Sequence, residues 1–237
     1  MQLWRMTMIL HCSDLHLRHF DWLSVNAPKF DLTVISGDLL SQSPREKLTM
    51  AAQVRMTSAW LASLRGTIAL CGGNHDYVEA WDESIDPSDA EGGWLQKARR
   101  KSVMVDGDVR MLHEFRVVCR PWIGGPAFVE KGGPTILVTH CGAEGSGVVC
   151  ADEPWAAGDF EVTQILPTLA RGSFCLSGHI HDPDSWYGVV EGAGVQCFNP
   201  GVTEAAGAAF PNHIIIDTVA RRAELHRWRQ PKEAIRI

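Results

Sequence analysis

The sequence predicts a mixed α/β (α+β) protein in which two β-sheets pack face to face between helices. Three observations lead there. Short runs of β-branched and apolar residues recur at positions 7–12, 31–36, 67–71, 135–138 and 174–176, each of strand length. A helical pattern lies between the second and third runs, which is the strand–crossover–strand order of a parallel sheet. The C-terminal part instead sets short strands at 186–190, 196–198, 213–216 and 223–228 between turns, and these read as antiparallel.

Residues 7–12 end at Ser13-Asp14, and only a short helix or loop, over 20–26, fits before the second strand. That strand, 31–36, has Leu32, Val34 and Ile35 as its apolar members and ends at Gly37-Asp38. Ser43-Pro44 opens the clearest helix, with Glu46 in its first turn. Leu48, Ala52, Met56, Ala59 or Trp60, and Leu64 recur at helical spacing, and Gly66 stops it. Strand 67–71 then delivers Gly72-Gly73-Asn74. Residues 78–93 are acidic and turn-rich, through Asp82, Glu83 and Asp86-Pro87-Ser88-Asp89, and read as an exposed loop. Short strands follow within 103–118, split by Gly107-Asp108. Strand 135–138 ends at Thr139-His140, and a loop through Gly142, Gly145, Gly147 and Pro154 precedes a helix near 160–170. Residues 174–176 lead into Gly178-His179.

A chain of 237 residues, 45% apolar and 21% charged, can bury one substantial core or two small ones. No linker, low-complexity tract or internal repeat divides it, so residues 1–237 read as a single domain. The net charge of −6 argues against a dedicated nucleic-acid surface. Arg99-Arg100-Lys101 and Arg221-Arg222, the only basic runs, fit solvated faces. Seven cysteines, odd in number, irregular in spacing and without a Cys-x-x-Cys pair, indicate neither a disulfide framework nor a zinc knuckle. The N-terminal segment has Arg5 ahead of a short apolar run, without the length or cleavage site of a signal peptide. No stretch reaches membrane-spanning length. The expectation is a reduced, cytoplasmic protein.

Seven potential metal ligands lie in five clusters, Asp14-Leu15-His16, Gly37-Asp38, Gly73-Asn74-His75-Asp76, Thr139-His140 and Gly178-His179-Ile180-His181. The first is a common triplet when met alone, and Gly37-Asp38 alone is an ordinary turn. Gly73-Asn74-His75-Asp76 is more specific, because it sets a neutral oxygen, an imidazole and a carboxylate in succession, which a turn does not require. The alternating His179 and His181 have few structural uses. Each cluster directly follows a strand-like run, so the ligands would emerge together at one sheet edge. There they can hold two divalent metals side by side, the arrangement of phosphoester chemistry. Imidazoles and carboxylates in this ratio suit Mn²⁺, Fe, Zn²⁺, Co²⁺ or Ni²⁺ better than Ca²⁺.

In this order the clusters resemble those of the calcineurin-like metallophosphoesterase superfamily, and the match covers nearly the whole chain. The resemblance implies a compact single-domain member with a four-layer αββα sandwich, two mixed β-sheets flanked by helices. It implies Asp14, His16 and His181 on one metal, Asn74, His140 and His179 on the other, and Asp38 bridging both. Two Mn²⁺ ions are the expected cofactors, with in-line attack on phosphorus by a hydroxide shared between them. His75, beside Asn74, would protonate or stabilise the leaving group. Asp76 would orient His75 or, equally, cap the following segment. The Asn199-Pro200-Gly201 turn resembles a structural feature of the family.

Arg18 and His19 continue from the first cluster into the rim and are candidates for contact with a substrate phosphate. Trp122 and Phe128, around Gly124-Gly125-Pro126, either line a pocket for a planar group or belong to core or loop. His11 reads as packed within the first strand, and His113, His213 and His226 have no partner motif. The expected reaction is hydrolysis of a small phosphodiester, with aryl diesters and cyclic nucleotides among the candidates, or of a phosphomonoester. Phosphoprotein phosphatases of the family carry arginines beside the ligand motifs, whereas Tyr77-Val78 follows Asp76 here. Two alternatives stand beside this reading. A non-catalytic metal-binding interaction scaffold is disfavoured because all seven ligands and His75 are present. A metal-dependent nuclease is disfavoured by the −6 charge and the short chain. The expected partner is therefore a small phosphoester, with no membrane.

Overall fold

The structure, a computed structural model, describes residues 6–43, 46–78, 85–124, 132–150, 158–190, 192, 194–203, 205 and 207–237. Pro44, Asp82, Glu83, Gly125, Pro126, Phe128 and Pro154, used above, lie outside the described residues.

The first sheet contains β1 (Met8–Cys12), β2 (Leu32–Ser36), β3 (Ile68–Cys71), β4 (Val103–Met104), β11 (His213–Asp217), β12 (Arg222–His226) and β13 (Glu233–Arg236). Its order is β13-β12-β11-β1-β2-β3-β4. The second contains β5 (Val109–Leu112), β6 (Phe115–Cys119), β7 (Thr135–Val138), β8 (Phe174–Leu176), β9 (Tyr187–Val189) and β10 (Gln196–Phe198), in the order β5-β6-β7-β8-β10-β9. Both sheets are mixed. Strands β1 to β4 are mutually parallel, as are β6, β7, β8 and β10, while β11, β12, β13, β5 and β9 pair antiparallel.

Alternation along the strands builds the layers. Ile9, Leu32, Val34 and Ala69 of the first sheet meet Val117, Ile136, Val138 and Leu176 of the second in one central core. Their neighbours Leu10, Cys12, Ile35 and Leu70 point the other way. There they pack against α1 (Phe20–Asn26), α2 (Met50–Ser63) and α3 (Gly93–Gln96) through Leu23, Leu61, Trp94 and Leu95. On the outer face of the second sheet, Val118, Leu137, Cys175 and Cys197 pack against Val162 and Ile165 of α4 (Phe160–Ile165). This is the expected αββα order of layers.

Four expectations need correction. Helix α2 starts at Met50 rather than at Ser43, because Thr49 caps it by accepting the Ala52 N–H. The preceding segment is instead tied down by Gln53, whose amide accepts the Ser41 N–H at 2.9 Å and donates to the Ser41 and Leu48 carbonyls. The 78–93 segment is not uniformly exposed, since Val78 and Ile85 are buried in the core under the helices. Helix α4 stops at Ile165 and tightens into a 3₁₀ turn, Leu166–Thr168, at Pro167. In the C-terminal part, β10 runs parallel to β8, and β13 is an additional edge strand. Its Glu-Ala-Ile-Arg sequence carries only a weak strand pattern.

Two histidines are locked into the core as neutral rings. Burial lowers His11 to about 3 and His213 to about 4, the latter helped by His226 stacked 4.9 Å away. A histidine with a depressed folded pKa stabilises fully above its unfolded value near 6.5, and that contribution is lost as pH falls toward the folded value. At pH 5 each should cost about 2 kcal/mol relative to neutral pH. Denaturant titrations of wild type and His213→Phe at pH 7.5 and pH 5 should show a pH-dependent loss smaller in the variant by about that amount. Equal losses would show that His213 titrates as in the unfolded chain.

Candidate metal centre

The parallel strands of both sheets end on the same side, and the five clusters begin there. Asp14 and His16 follow β1, Asp38 follows β2, Asn74 follows β3, His140 follows β7, and His179 and His181 follow β8. Backbone hydrogen bonds knit these ends together, Asp14 N–H to Gly37 O at 3.1 Å and His16 N–H to Asp38 O at 2.9 Å. The two sheets are joined at the same place. His140 donates Nδ1–H to the Ser36 carbonyl at 2.9 Å, and the Asp14 carboxylate accepts the His179 N–H at 3.1 Å.

Close approach is made possible by glycines. A Cβ at Gly37 would lie 2.1 Å from His140 Nδ1, and one at Gly73 would lie 2.2 Å from Asp38 Oδ1. Gly37 and Gly73 thus clear room for candidate ligands, His140 and Asp38, that come from other strands. Asp14, His16, Asp38 and His179 themselves have φ of 50°, 45°, 53° and 66°, in the left-handed region that side chains disfavour. Strained backbone concentrated at one point is a mark of a functional site.

The side-chain nitrogens and oxygens that converge there are of the kinds that bind metal ions. With His140 Nδ1 donating to a carbonyl, the lone pair of the neutral ring is on Nε2. That atom lies 3.0 Å from Asn74 Oδ1 and 3.3 Å from Asp38 Oδ2. His179 Nδ1 is also 3.0 Å from Asn74 Oδ1. On the other side His16 donates Nδ1–H to Leu40 O at 3.0 Å, leaving Nε2 3.3 Å from His181 Nε2. His181 Nε2 in turn lies 3.8 Å from Asp14 Oδ1. Such contacts are repulsive unless a proton or a cation sits among them. Donors bound at about 2.1 Å and at right angles to one ion lie about 3.0 Å apart, so these spacings fit a coordination shell. Asp14, His16 and His181 form one group able to hold an ion, Asp14, Asp38 and His140 a second, and His16, Asp38 and His75 a third.

The electrostatics agree. Burial pushes Asp14 up to about 6 against the pull of His140. Burial also opposes charge on Asp38, but His140 and His75 hold it well below the usual carboxylate range. His140 is buried too, and Asp38 nevertheless draws it up to about 9. Burial and the His140 charge lower His179 to about 4. A metal at this position would compete with protons for the same lone pairs.

Residues 7–183 match the Calcineurin-like phosphoesterase family, about three-quarters of the chain. The chain belongs to that family. It is therefore a metallophosphoesterase, a hydrolase of phosphoester bonds. A search of curated proteins finds no match. Among solved structures, a dimetal phosphatase from Danio rerio is similar with a TM-score of 0.53 and 12% identity, covering 98% of this chain and 99% of that one. A phosphoesterase from E. coli has a TM-score of 0.43 and 16% identity, covering 96% of this chain and 98% of that one. A predicted phosphoesterase from Streptococcus pneumoniae has a TM-score of 0.44 and 12% identity, with 98% of each chain covered.

Around the phosphoesterase centre, the remaining candidates fall differently from one another. His75 lies at its mouth, its N–H donated to Asp38 Oδ1 at 2.9 Å and its ring 5.0 Å from that of His16. The residue that orients its ring is Gln42, whose backbone N–H donates to His75 Nδ1 at 3.1 Å. A backbone amide leaves no side-chain signal in a sequence. Asp76 turns away from His75 altogether. Its buried carboxylate accepts the N–H groups of Leu39, Leu40 and Gly73 at 2.9–3.2 Å, so it clamps the Asp38 turn to the Asn74 turn. This is neither of the two roles weighed above, since the amides it binds belong to the Asp38 turn and to Gly73 rather than to the segment that follows. Trp122 packs its ring 5.3 Å from His140 and 5.2 Å from His179, a contact that sequence reasoning left undecided. Arg18 is exposed, its backbone N–H donated to the Leu15 carbonyl at 2.9 Å, while His19 heads α1 with φ 62°. Both border the centre beside Asp14 and His16. Asn199 Nδ2 donates to the carbonyls of Val148, Gly178 and Ile180, which holds the His179 turn.

Removing the Asp76 carboxylate would leave three buried amides unpaired, at about 1–3 kcal/mol each. Asp76→Ala should therefore lose roughly 3 kcal/mol or more in denaturant unfolding. A loss under about 1 kcal/mol would show that the clamp is not structural.

Proposed function

We propose that this phosphoesterase cleaves a small phosphodiester or phosphomonoester with two divalent cations, Mn²⁺ foremost, and that the 237 residues act as one domain. The observation that carries the two-cation reading is the convergence of seven potential ligand side chains, with neighbouring nitrogen and oxygen atoms 3.0–3.8 Å apart. Asp14, His16 and His181 would hold one cation, Asn74, His140 and His179 the other, and Asp38, which reaches both groups, would belong to each. When bound, such a pair supplies positive charge for the phosphoryl oxygens and lowers the pKa of water. Everything else is asked of the chain's own groups.

His140 and His16 donate one ring N–H to a backbone carbonyl, which turns the other nitrogen toward the centre, where its lone pair would be free for a cation once that ring is neutral. His75 does the reverse. Because its Nδ1 accepts the Gln42 N–H, the neutral ring carries its proton on Nε2, 3.7 Å from Asp38 Oδ2 and facing the open mouth. That proton is available to an oxygen leaving phosphorus, the role of a general acid. Arg18, with His19 beside it, would meet a non-reacting phosphoryl oxygen at the rim. None of the seven cysteines is in a disulfide, which supports a reducing, cytoplasmic setting. No helix among the described residues is long and apolar enough to cross a membrane.

Two variants test the division of labour. In His75→Ala, elemental analysis should still find both metals, while turnover falls roughly 10²–10⁴-fold. The penalty should be larger for alkoxide leaving groups than for nitrophenolate, which departs without a proton. Asp38→Ala should lose metal and activity together. Equal rate losses for good and poor leaving groups in His75→Ala would make His75 a phosphate-positioning residue, and full metal retention in Asp38→Ala would refute the bridge.

A further inference from the structure

Beside the metal centre lies a cleft built from the continuations of two of its own segments. Tyr77 and Val78 follow Asn74-His75-Asp76, and Ile123 follows Trp122, which packs on His140 and His179. Together with Glu91 they line, among the described residues, an open cleft of about 450 Å³. That volume suits a small planar ligand. The walls are cross-braced, since the Ile123 backbone hydrogen-bonds to the Tyr77 phenol.

The chemistry of the walls is one-sided. Val78 and Ile123 are apolar, and Ile123 stands 64% exposed. Tyr77 adds an aromatic face. The charged group on the lining is the Glu91 carboxylate, an acceptor, and no lysine, arginine or histidine joins it among the described residues. Behind the Tyr77 ring is a second carboxylate, Asp106, 5% exposed. One of its oxygens accepts the Gly72 N–H at 2.9 Å, and the other has no hydrogen-bond partner. Glu91 itself has φ 51°, with its N–H donated to the Val78 carbonyl at 2.9 Å. A left-handed glutamate at a cleft wall is held there against its own preference. The Glu91 carboxylate on such a wall favours a ring that brings N–H donors.

We propose that the cleft binds the non-phosphate part of the substrate as a planar ring bearing an amino group, of the aminopurine or aminopyrimidine type. The ring packs on Tyr77 and Ile123, and its N–H donors reach Glu91. Calling that ligand a substrate rests on the phosphoesterase reading above; the cleft's preference does not.

Adenosine 5′-monophosphate and purine riboside 5′-monophosphate differ at one position, an amino donor against a hydrogen atom. Calorimetric binding of each to the Mn²⁺-loaded protein, with hydrolysis of 4-nitrophenyl phosphate and bis(4-nitrophenyl) phosphate assayed in parallel, separates the two claims. The adenosine compound should bind tighter by about tenfold or more, as for a hydrogen bond to a charged group. Glu91→Gln, which removes the carboxylate charge, should bring the two affinities together at an unchanged melting temperature. Equal affinities, no binding of either, or a preference that survives Glu91→Gln would overturn the cleft assignment. Nitrophenyl ester hydrolysis with no base preference would sink the cleft alone. A base preference without hydrolysis of either ester would leave the cleft standing and remove the catalytic reading.

Discussion

Asp38 sits where the parallel strands of two mixed sheets bring their ends together, buried, with imidazoles on both sides. Its carboxylate receives the His75 N–H and faces His140 at 3.3 Å. The lone pairs of His16, His181, His179 and Asn74 crowd in behind. A folded chain does not assemble so many acceptors in a buried space unless something positive completes them. That unbalanced cluster is the constraint to which the surrounding backbone is fitted. The Gly37 and Gly73 turns have no room for a side chain because His140 and Asp38 occupy it. The left-handed conformations of Asp14, His16, Asp38 and His179 aim side chains inward that an ordinary turn would send to solvent.

The supporting framework is less visible but equally specific. Asp76 fastens the Asp38 turn to the Asn74 turn through backbone amides, and Asn199 does the same for the His179 turn through carbonyls. The layers of Ile, Leu and Val beneath them explain why two sheets meet at this edge. Inner faces such as Ile9, Val34, Ile136 and Leu176 form one core across both sheets, so their strand ends stay in register.

Much of this was legible from residues alone, because strand periodicity and strongly biased ligand types leave direct traces. Strands 135–138, 174–176 and 196–198 were readable to the residue, whereas 20–26 could be read only as a helix or a loop. Helix α2 was not, since Ser43-Pro44 imitates a start that Gln53 cancels by binding Ser41 from within the helix. The parallel pairing of β10 with β8 depends on partners distant in sequence, which a local pattern of short strands and turns does not reveal. Within the site, the seven acceptor side chains could be nominated from their clusters. The grip of Gln42 on His75 could not, because it is made by a backbone amide. Asp76 was ambiguous for a related reason: a carboxylate beside a histidine is a partner or a cap according to where the chain folds next.

The central claim is that these acceptors hold two cations and that Asp38 belongs to both. Crystals of the protein grown with Mn²⁺, with diffraction recorded on both sides of the manganese absorption edge, test it directly. The account predicts two anomalous peaks, one bounded by Asp14, His16 and His181 and the other by Asn74, His140 and His179, with the Asp38 carboxylate between them. A single peak, or a second peak outside this set of residues, would contradict it.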